Sequence, residues 1–183
     1  MAKAEDEILD AEGYGLIFRK TAQDTQGELL EMEAFYRPKG ELPPQHYHPH
    51  QEEYFQVLAG TFLVVIGTDK LTFSTGEDFK IPAGTSHAMQ NVSAEKGQLL
   101  WQTRPALQSE GFFETVWKMD RDSPSDKRTL GQILQLALIF QEYSREVHLS
   151  NPSQRIILKL LAPVARILGY KAQWRSPQGQ VQT

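Results

Sequence analysis

The stretch Gly40-Glu41-Leu42-Pro43-Pro44-Gln45-His46-Tyr47-His48-Pro49-His50-Gln51-Glu52-Glu53-Tyr54-Phe55-Gln56-Val57-Leu58-Ala59-Gly60 sets three histidines at alternate positions, then two carboxylates, then an apolar run that stops at a glycine. On an extended strand, residues two apart point to the same side. His46, His48 and His50 are therefore expected to project their imidazoles into one space. Neutral imidazole is the commonest protein ligand for metals, and a neighbouring carboxylate suits a divalent ion of intermediate hardness. A second stretch, Gly76 to Asn91, supplies one more histidine. There Pro82 fixes φ and Gly84 permits a positive one, so the chain must turn before His87 opens a new strand. Folding can bring that strand beside the first cluster, which gives three or four nitrogen ligands and a carboxylate.

Together the two stretches resemble the cupin family. Its first motif, G-x5-H-x-H-x3,4-E-x6-G, is met by Gly40, His46, His48, Glu53 and Gly60. Its second, G-x5-P-x-G-x2-H-x3-N, is met by Gly76, Pro82, Gly84, His87 and Asn91. Ten positions at fixed spacing are far more specific than one short motif. The short spacer from Gly60 to Gly76 resembles the compact bacterial single-domain kind.

The resemblance implies that His46, His48, Glu53 and His87 are the metal ligands. The ion would be one divalent transition metal, Fe, Mn, Ni or Zn. Glu52 competes with Glu53, since the family tolerates either gap after the second histidine. Only Glu53 also keeps the full spacing to Gly60, and Pro49 interrupts the strand alternation that would favour Glu52. His50 is expected to lie outside the ligand set, and His148 to be an exposed residue far along a helix. Met89 or Trp101 is the expected cavity-lining side chain, with Gln90 and Gln102 as groups able to orient a ligand.

The rest of the chain reads as many short strands. Tyr14 to Lys20 and Glu28 to Arg37 are apolar or alternating runs, the latter with Leu30, Met32, Ala34 and Tyr36 on one side. Further runs follow at Glu53–Leu58, Thr61–Ile66, Leu71–Phe73, Phe79–Ile81, His87–Val92 and Gln98–Thr103, each punctuated by Gly, Pro or Asp. That rhythm argues for an all-β sandwich or barrel, and the resemblance narrows it to an antiparallel double-stranded jelly-roll β-barrel. The expected organisation is a flexible N-terminus over 1–13, the barrel over 14–110, a C-terminal helical extension over 111–175 and a disordered tail over 176–183.

Two or three helices are expected in that extension. One spans Gly111 to Met119. A second starts at the cap-and-proline signature Ser123-Pro124-Ser125-Asp126 and runs to about His148, apolar nearly all round. The third starts at Asn151-Pro152, is kinked by Pro163 and ends at Gly169. Its stripe of Ile156, Ile157, Leu160, Leu161, Val164, Ile167 and Leu168 faces away from Arg155, Lys159, Ala162 and Arg166. A basic amphipathic helix over 152–170 invites a membrane-surface reading. Packing of both helices on the barrel or across a homodimer interface is the favoured expectation, because the preceding helix is too apolar to stand exposed. A DNA-recognition pair is disfavoured, since this second helix is apolar where a reading helix is polar and basic.

Composition narrows the function. With 183 residues the chain can bury one ordinary core, and its formal net charge of −4 argues against a general nucleic-acid binder. It contains no cysteine, so thiolate metal sites and disulfides are excluded. The acidic start lacks the basic-then-apolar order of a signal peptide, which points to the cytoplasm. No nucleophile elbow or phosphate-cradling glycine loop is present. The resemblance implies metal-dependent chemistry on a small organic molecule, dioxygenase-type oxygenative cleavage first, with isomerisation or decarboxylation open. The alternative is a non-catalytic small-ligand-binding or sensing module whose helical extension contacts a partner or membrane surface.

Overall fold

The computed structural model describes residues 2–122 and 128–172. The strands are β1 (Glu7–Leu9), β2 (Gly15–Lys20), β3 (Leu30–Tyr36), β4 (His46–Tyr47), β5 (Glu52–Ala59), β6 (Thr61–Ile66), β7 (Asp69–Ser74), β8 (Asp78–Ile81), β9 (His87–Asn91), β10 (Gly97–Arg104) and, far along the chain, β11 (His148–Leu149). They form two sheets, ordered β1-β2-β3-β10-β5-β8 and β11-β4-β9-β6-β7, in which all pairings are antiparallel. Because the strands alternate, one face of each sheet is apolar. Leu30, Met32 and Ala34 of β3 are buried together with Phe55, Phe62, Val64 and Leu99 between the sheets. This is the jelly-roll sandwich that the spacing and the resemblance predict.

The N-terminus departs from the expected fraying. Glu7–Leu9 pair in register with Gly15–Ile17, and Ile8 is buried in the core. A three-residue strand on a sheet edge carries too little periodicity to be legible, yet its apolar residue finds the edge of β2.

Helix α1 (Ser109–Asp122) overruns its expected range at both ends and packs its aromatic face on the barrel. Phe113 lies edge-on to Trp101 at 4.6 Å, and Phe112 meets Tyr143 at 5.8 Å. Helix α2 (Leu130–Glu142) is shorter than expected. The signature at 123–126 lies outside the described residues. The described cap is Thr129, whose side chain accepts from Gln132 N while Gln132 reaches back to Thr129 N, a full capping box. Its all-round apolarity has a plain cause. Ile139 sits in the barrel core with Leu136 and Phe140 packed against it, while Leu134, Ala137 and Leu138 face the last helix. The helix is covered on two sides.

Helix α3 (Pro152–Ile167) has Asn151 as its cap, with the side chain accepting from Ser153 N and Gln154 N. It continues through Pro163, and Gly169 follows it at a left-handed φ of 83°. The face it packs is not the expected one. Ala162 and Ala165 are buried against α2 with Leu161 packed beside them, and the rest of the Ile/Leu stripe is turned to solvent. Two alanines let the helix axes approach more closely than a leucine stripe would allow.

Candidate metal centre

The two histidine-bearing stretches meet on one sheet, facing the other. β4 and β9 pair through His46 opposite His87, so these two imidazoles come from neighbouring strands of one sheet. Two residues beyond His46, His48 lies past the end of β4, and its carbonyl accepts from Gly84 N at 2.8 Å. That bond ties the two stretches together at the Pro-x-Gly corner, where Gly84 has φ of 76°, a conformation L side chains avoid. The chain then crosses to the other sheet, and β5 carries Glu53 in from the opposite side.

One nitrogen each from His46, His48 and His87 lies within 4.8 Å of the others. Glu53 completes the group: its Oε2 is 2.9 Å from His87 Nε2 and its Oε1 is 3.3 Å from His48 Nε2. His48, Glu53 and His87 are buried and His46 is half-buried. All four side chains expected as ligands are thus brought together. Glu52 is exposed on the other face of β5 and faces Lys80, as alternation requires once the strand starts after Pro49. His50 sits in the turn after His48 and is exposed, because β4 ends at Tyr47 and the alternation that would have carried it inward is broken. Replacing His50 or Glu52 by alanine is therefore expected to leave metal content unchanged, as read by elemental analysis of the purified variants.

The hydrogen bonds around the rings set their tautomers. His48 Nδ1 donates to Glu146 O at 2.7 Å, His87 Nδ1 to Thr85 O at 2.9 Å, and His46 Nδ1 to Pro44 O at a longer 3.4 Å. A carbonyl only accepts, so each Nδ1 carries the hydrogen and each Nε2 of a neutral ring presents a lone pair. His87 Nε2 then approaches Glu53 Oε2 acceptor to acceptor. His48 Nε2 and Glu53 Oε2 have no hydrogen-bond partner among the described residues. A cation, either a proton or a metal ion, has to lie among these atoms for the contacts to be favourable. The donor set of three imidazoles and one carboxylate fits a divalent transition ion, and backbone acceptors behind the rings are what such a site uses to orient them.

Glu53 Oε1 also accepts from Trp101 Nε1 at 3.0 Å, so Trp101 reaches the site as expected, through its N–H as well as its ring. Met89 is buried two residues along β9 from His87, on the same face of the strand. Gln102 does not serve the site. It follows Trp101 on β10 and therefore points to the outer face, where it donates to Glu31.

Two contributors were not legible beforehand, and both come from the helical extension. β11 pairs with β4, His148 opposite Tyr47 and Leu149 opposite His46, so His148 is half-buried on a strand beside Tyr47 and not on an exposed helix. Glu146 supplies the carbonyl behind His48, and its own side chain accepts from Gln108 N at 3.2 Å. Glu146→Ala frees that loop and is expected to weaken metal affinity about tenfold, the size usual for lost outer contacts, in a metal-competition titration.

Charge follows from this packing. Burial, then the neighbouring rings of His87 and His48, hold His46 down at about 3, so it is neutral at ordinary pH. Burial by itself would raise Glu53, but the surrounding histidines outweigh it and keep the carboxyl at about 2. Burial would lower His87, and the Glu53 carboxylate overrides that and raises it. Burial and then Glu53 push the Tyr36 phenol above its usual range, so Tyr36 stays protonated.

A pH dependence follows for the metal-free chain. His46 takes its proton near 6.5 when unfolded and only near 3 when folded, so the folded state binds fewer protons between those values. Stability therefore falls as pH drops below about 6.5, and Glu53 adds a loss between its ordinary 4.5 and about 2. His87 acts oppositely: its contribution is present below its unfolded value and fades as pH rises through the raised one. Urea midpoints of chelator-treated protein are expected to peak near neutrality, and a midpoint still climbing from pH 7 to pH 5 would contradict the arrangement.

The remaining motif positions are structural. A Cβ on Gly60, where φ is 88°, would come within 3.1 Å of Gly97 Cα and Ser93 Oγ. The buried Asn91 donates to Arg37 O and Glu95 O and accepts from Ser93, which fixes the loop after β9.

Comparison with known proteins agrees with this geometry. Residues 34–103, which hold all four site side chains, match the family described as Cupin domain. Protein SchB of Streptomyces halstedii is 33% identical over 72 residues, covering 39% of this chain and 51% of its own length. Polyketide synthase CurC of Streptomyces cyaneus is 29% identical over 72 residues, covering 39% of this chain and 46% of its own. The chain thus spans about half the length of the curated relatives it matches. Among solved structures, KdgF from Halomonas sp. is 17% identical with a TM-score of 0.44, covering 52% of this chain and 85% of its own. TT1209 from Thermus thermophilus is 23% identical with a TM-score of 0.43, covering 57% and 90%. Histidines and carboxylate at family spacing, gathered between two antiparallel sheets within the matched segment, accord with a cupin domain at residues 34–103 of this chain.

Proposed function

We propose that this protein binds one divalent transition ion through His46, His48, His87 and Glu53 and acts with it on a small organic molecule, in dioxygenase-type chemistry. The observation that carries the reading is the tautomer set. Three imidazoles are fixed from behind by backbone carbonyls, and their free nitrogens converge on a buried carboxylate that lacks a hydrogen donor at Oε2. Such an ion supplies Lewis-acid activation of substrate oxygens and, for Fe, Mn or Ni, access to dioxygen chemistry.

The chain's own residues would do the following. His46 stays neutral across the working range and so keeps its lone pair available. Trp101 donates to Glu53 and holds its carboxylate in one orientation. Tyr36, raised by burial and then by the charge of Glu53, remains a protonated phenol. Aromatic side chains around Phe55 and Trp101 keep the surroundings dry, which strengthens every charge interaction within.

Enolisable phenolic compounds are the substrates to place first, and the polyketide synthase name of one relative supports that order. The test is elemental analysis followed by oxygen uptake with a panel of flavonols, aromatic diols and polyphenolic ketones. Uptake that depends on the metal and disappears in Glu53→Gln is the expected result. A fully metal-loaded protein that turns over none of them, but binds one by calorimetry, would favour the ligand-holding alternative.

A further inference from the structure

Helix α3 presents a broad apolar face to solvent, with Leu161 at its margin packed on α2. Ile156 is 58% exposed, Leu160 69% and Ile167 85%, with Ile157, Val164 and Leu168 beside them. At 100° per residue these side chains form one broad face, and Arg155, Lys159 and Arg166 line up along one edge of it. The opposite edge is taken by the contact with α2.

Charge is segregated along the chain in the same sense. All 23 acidic residues lie at or before Glu146, whereas Arg155, Lys159, Arg166, Lys171 and Arg175 follow it. Residues 1–150 therefore carry 14 basic against 23 acidic groups, a net of −9, and residues 151–183 carry +5 with no acid at all. Arg155 and Lys159 also line, with His148 and Ile156, a cleft of about 830 Å³ between α2, β11 and α3. Cationic groups thus border the apolar face on the side where it meets that cleft.

These features choose among occupants. A second copy packing the same face antiparallel across a two-fold axis sets like edge against like edge. The three basic residues of each helix would then oppose their own counterparts, with no acid on α3 to offset them. An occupant both apolar and anionic matches the face and its edge together. No helix among the described residues is long and apolar enough to cross a membrane, so contact would lie in the interfacial plane.

We propose that α3 docks this protein onto anionic lipid bilayers, with Ile156, Leu160, Val164 and Ile167 in the acyl boundary and the basic edge at the lipid phosphates. The metal centre, linked to the start of α3 through β11, then sits next to the bilayer surface.

The test is co-sedimentation of the full chain with phosphatidylglycerol-containing vesicles and with pure phosphatidylcholine vesicles, at low and high salt. Binding is expected to the anionic vesicles, with a steep loss as salt rises. Lys159→Gln together with Arg166→Gln should reduce partition about thirtyfold, since each such charge contributes roughly fivefold near an anionic surface. Leu160→Asp should abolish it. Both variants lie on exposed positions, and unchanged circular dichroism and metal content confirm their folding. Equal binding to both vesicle types would overturn the proposal. So would no vesicle binding with a dimer in light scattering that Leu160→Asp dissolves, which would make the face a self-interface, and so would the absence of both.

Discussion

His87→Ala is expected to cost at least a hundredfold in metal affinity while the barrel remains folded. His87 is one of the four converging donors, and its Nε2 makes the closest approach to Glu53, at 2.9 Å. Losing an outer contact already weakens such sites ten- to a hundredfold, so losing a donor atom is the larger injury. The variant also leaves a buried carboxylate with one fewer partner, a change that costs roughly 3 to 5 kcal/mol when nothing relieves it. Relief exists here. Glu53 keeps the Trp101 N–H, and once the His87 contribution is gone its carboxyl takes up a proton more readily, the usual response of a buried acid without a counter-charge. Elemental analysis should therefore show metal well below one per chain, and far-ultraviolet circular dichroism should match the parent. Full occupancy in the variant would remove His87 from the ligand set.

The second large effect is expected at Phe55, which is fully buried two residues from Glu53 on the same face of β5. Its ring stacks on Phe79 at 5.0 Å and lies 5.3 Å from Trp101, so it supports the indole that orients Glu53. Phe55→Ala opens a cavity that neighbouring strands cannot close, because both sheets are held by their ladders. The destabilisation should be about 3 to 5 kcal/mol, a large share of a typical domain's total stability. Urea unfolding of the metal-free chain measures it without help from the ion. Metal affinity should fall as well, since a loosened Trp101 no longer fixes the carboxylate. A loss below about 1 kcal/mol would mean that the core around the site is not close-packed.

Much of this was legible because motif spacing and side-chain alternation are local properties. The turn at Pro82 and Gly84 allowed His87 to come beside the first histidine cluster, and the resemblance implied that it shares one site with His46 and His48. Glu53 could be preferred over Glu52 from its distance to Gly60. The reading of three alternate histidines on one strand failed at His50, since Pro49 and the turn that follows end β4 first. For Gln102, the alternation along β10 leaves open which side faces inward. Its register against β5 decides that: Trp101 lies opposite Phe55, inside, and so Gln102 lies outside.

Sequence by itself determined a sandwich or barrel of short strands and a basic amphipathic helix, because periods of two and 3.6 residues are written along the chain, while the jelly roll and the four converging side chains were what its resemblance to the cupin motifs implied. The tertiary structure alone decided what stands behind and beside them. The carbonyl of Glu146 on His48, the pairing of β11 with β4 and the choice of alanines over leucines as the buried face of α3 are contacts between residues far apart in sequence. Such contacts leave no local pattern, since each depends on which surfaces remain free once the barrel has closed.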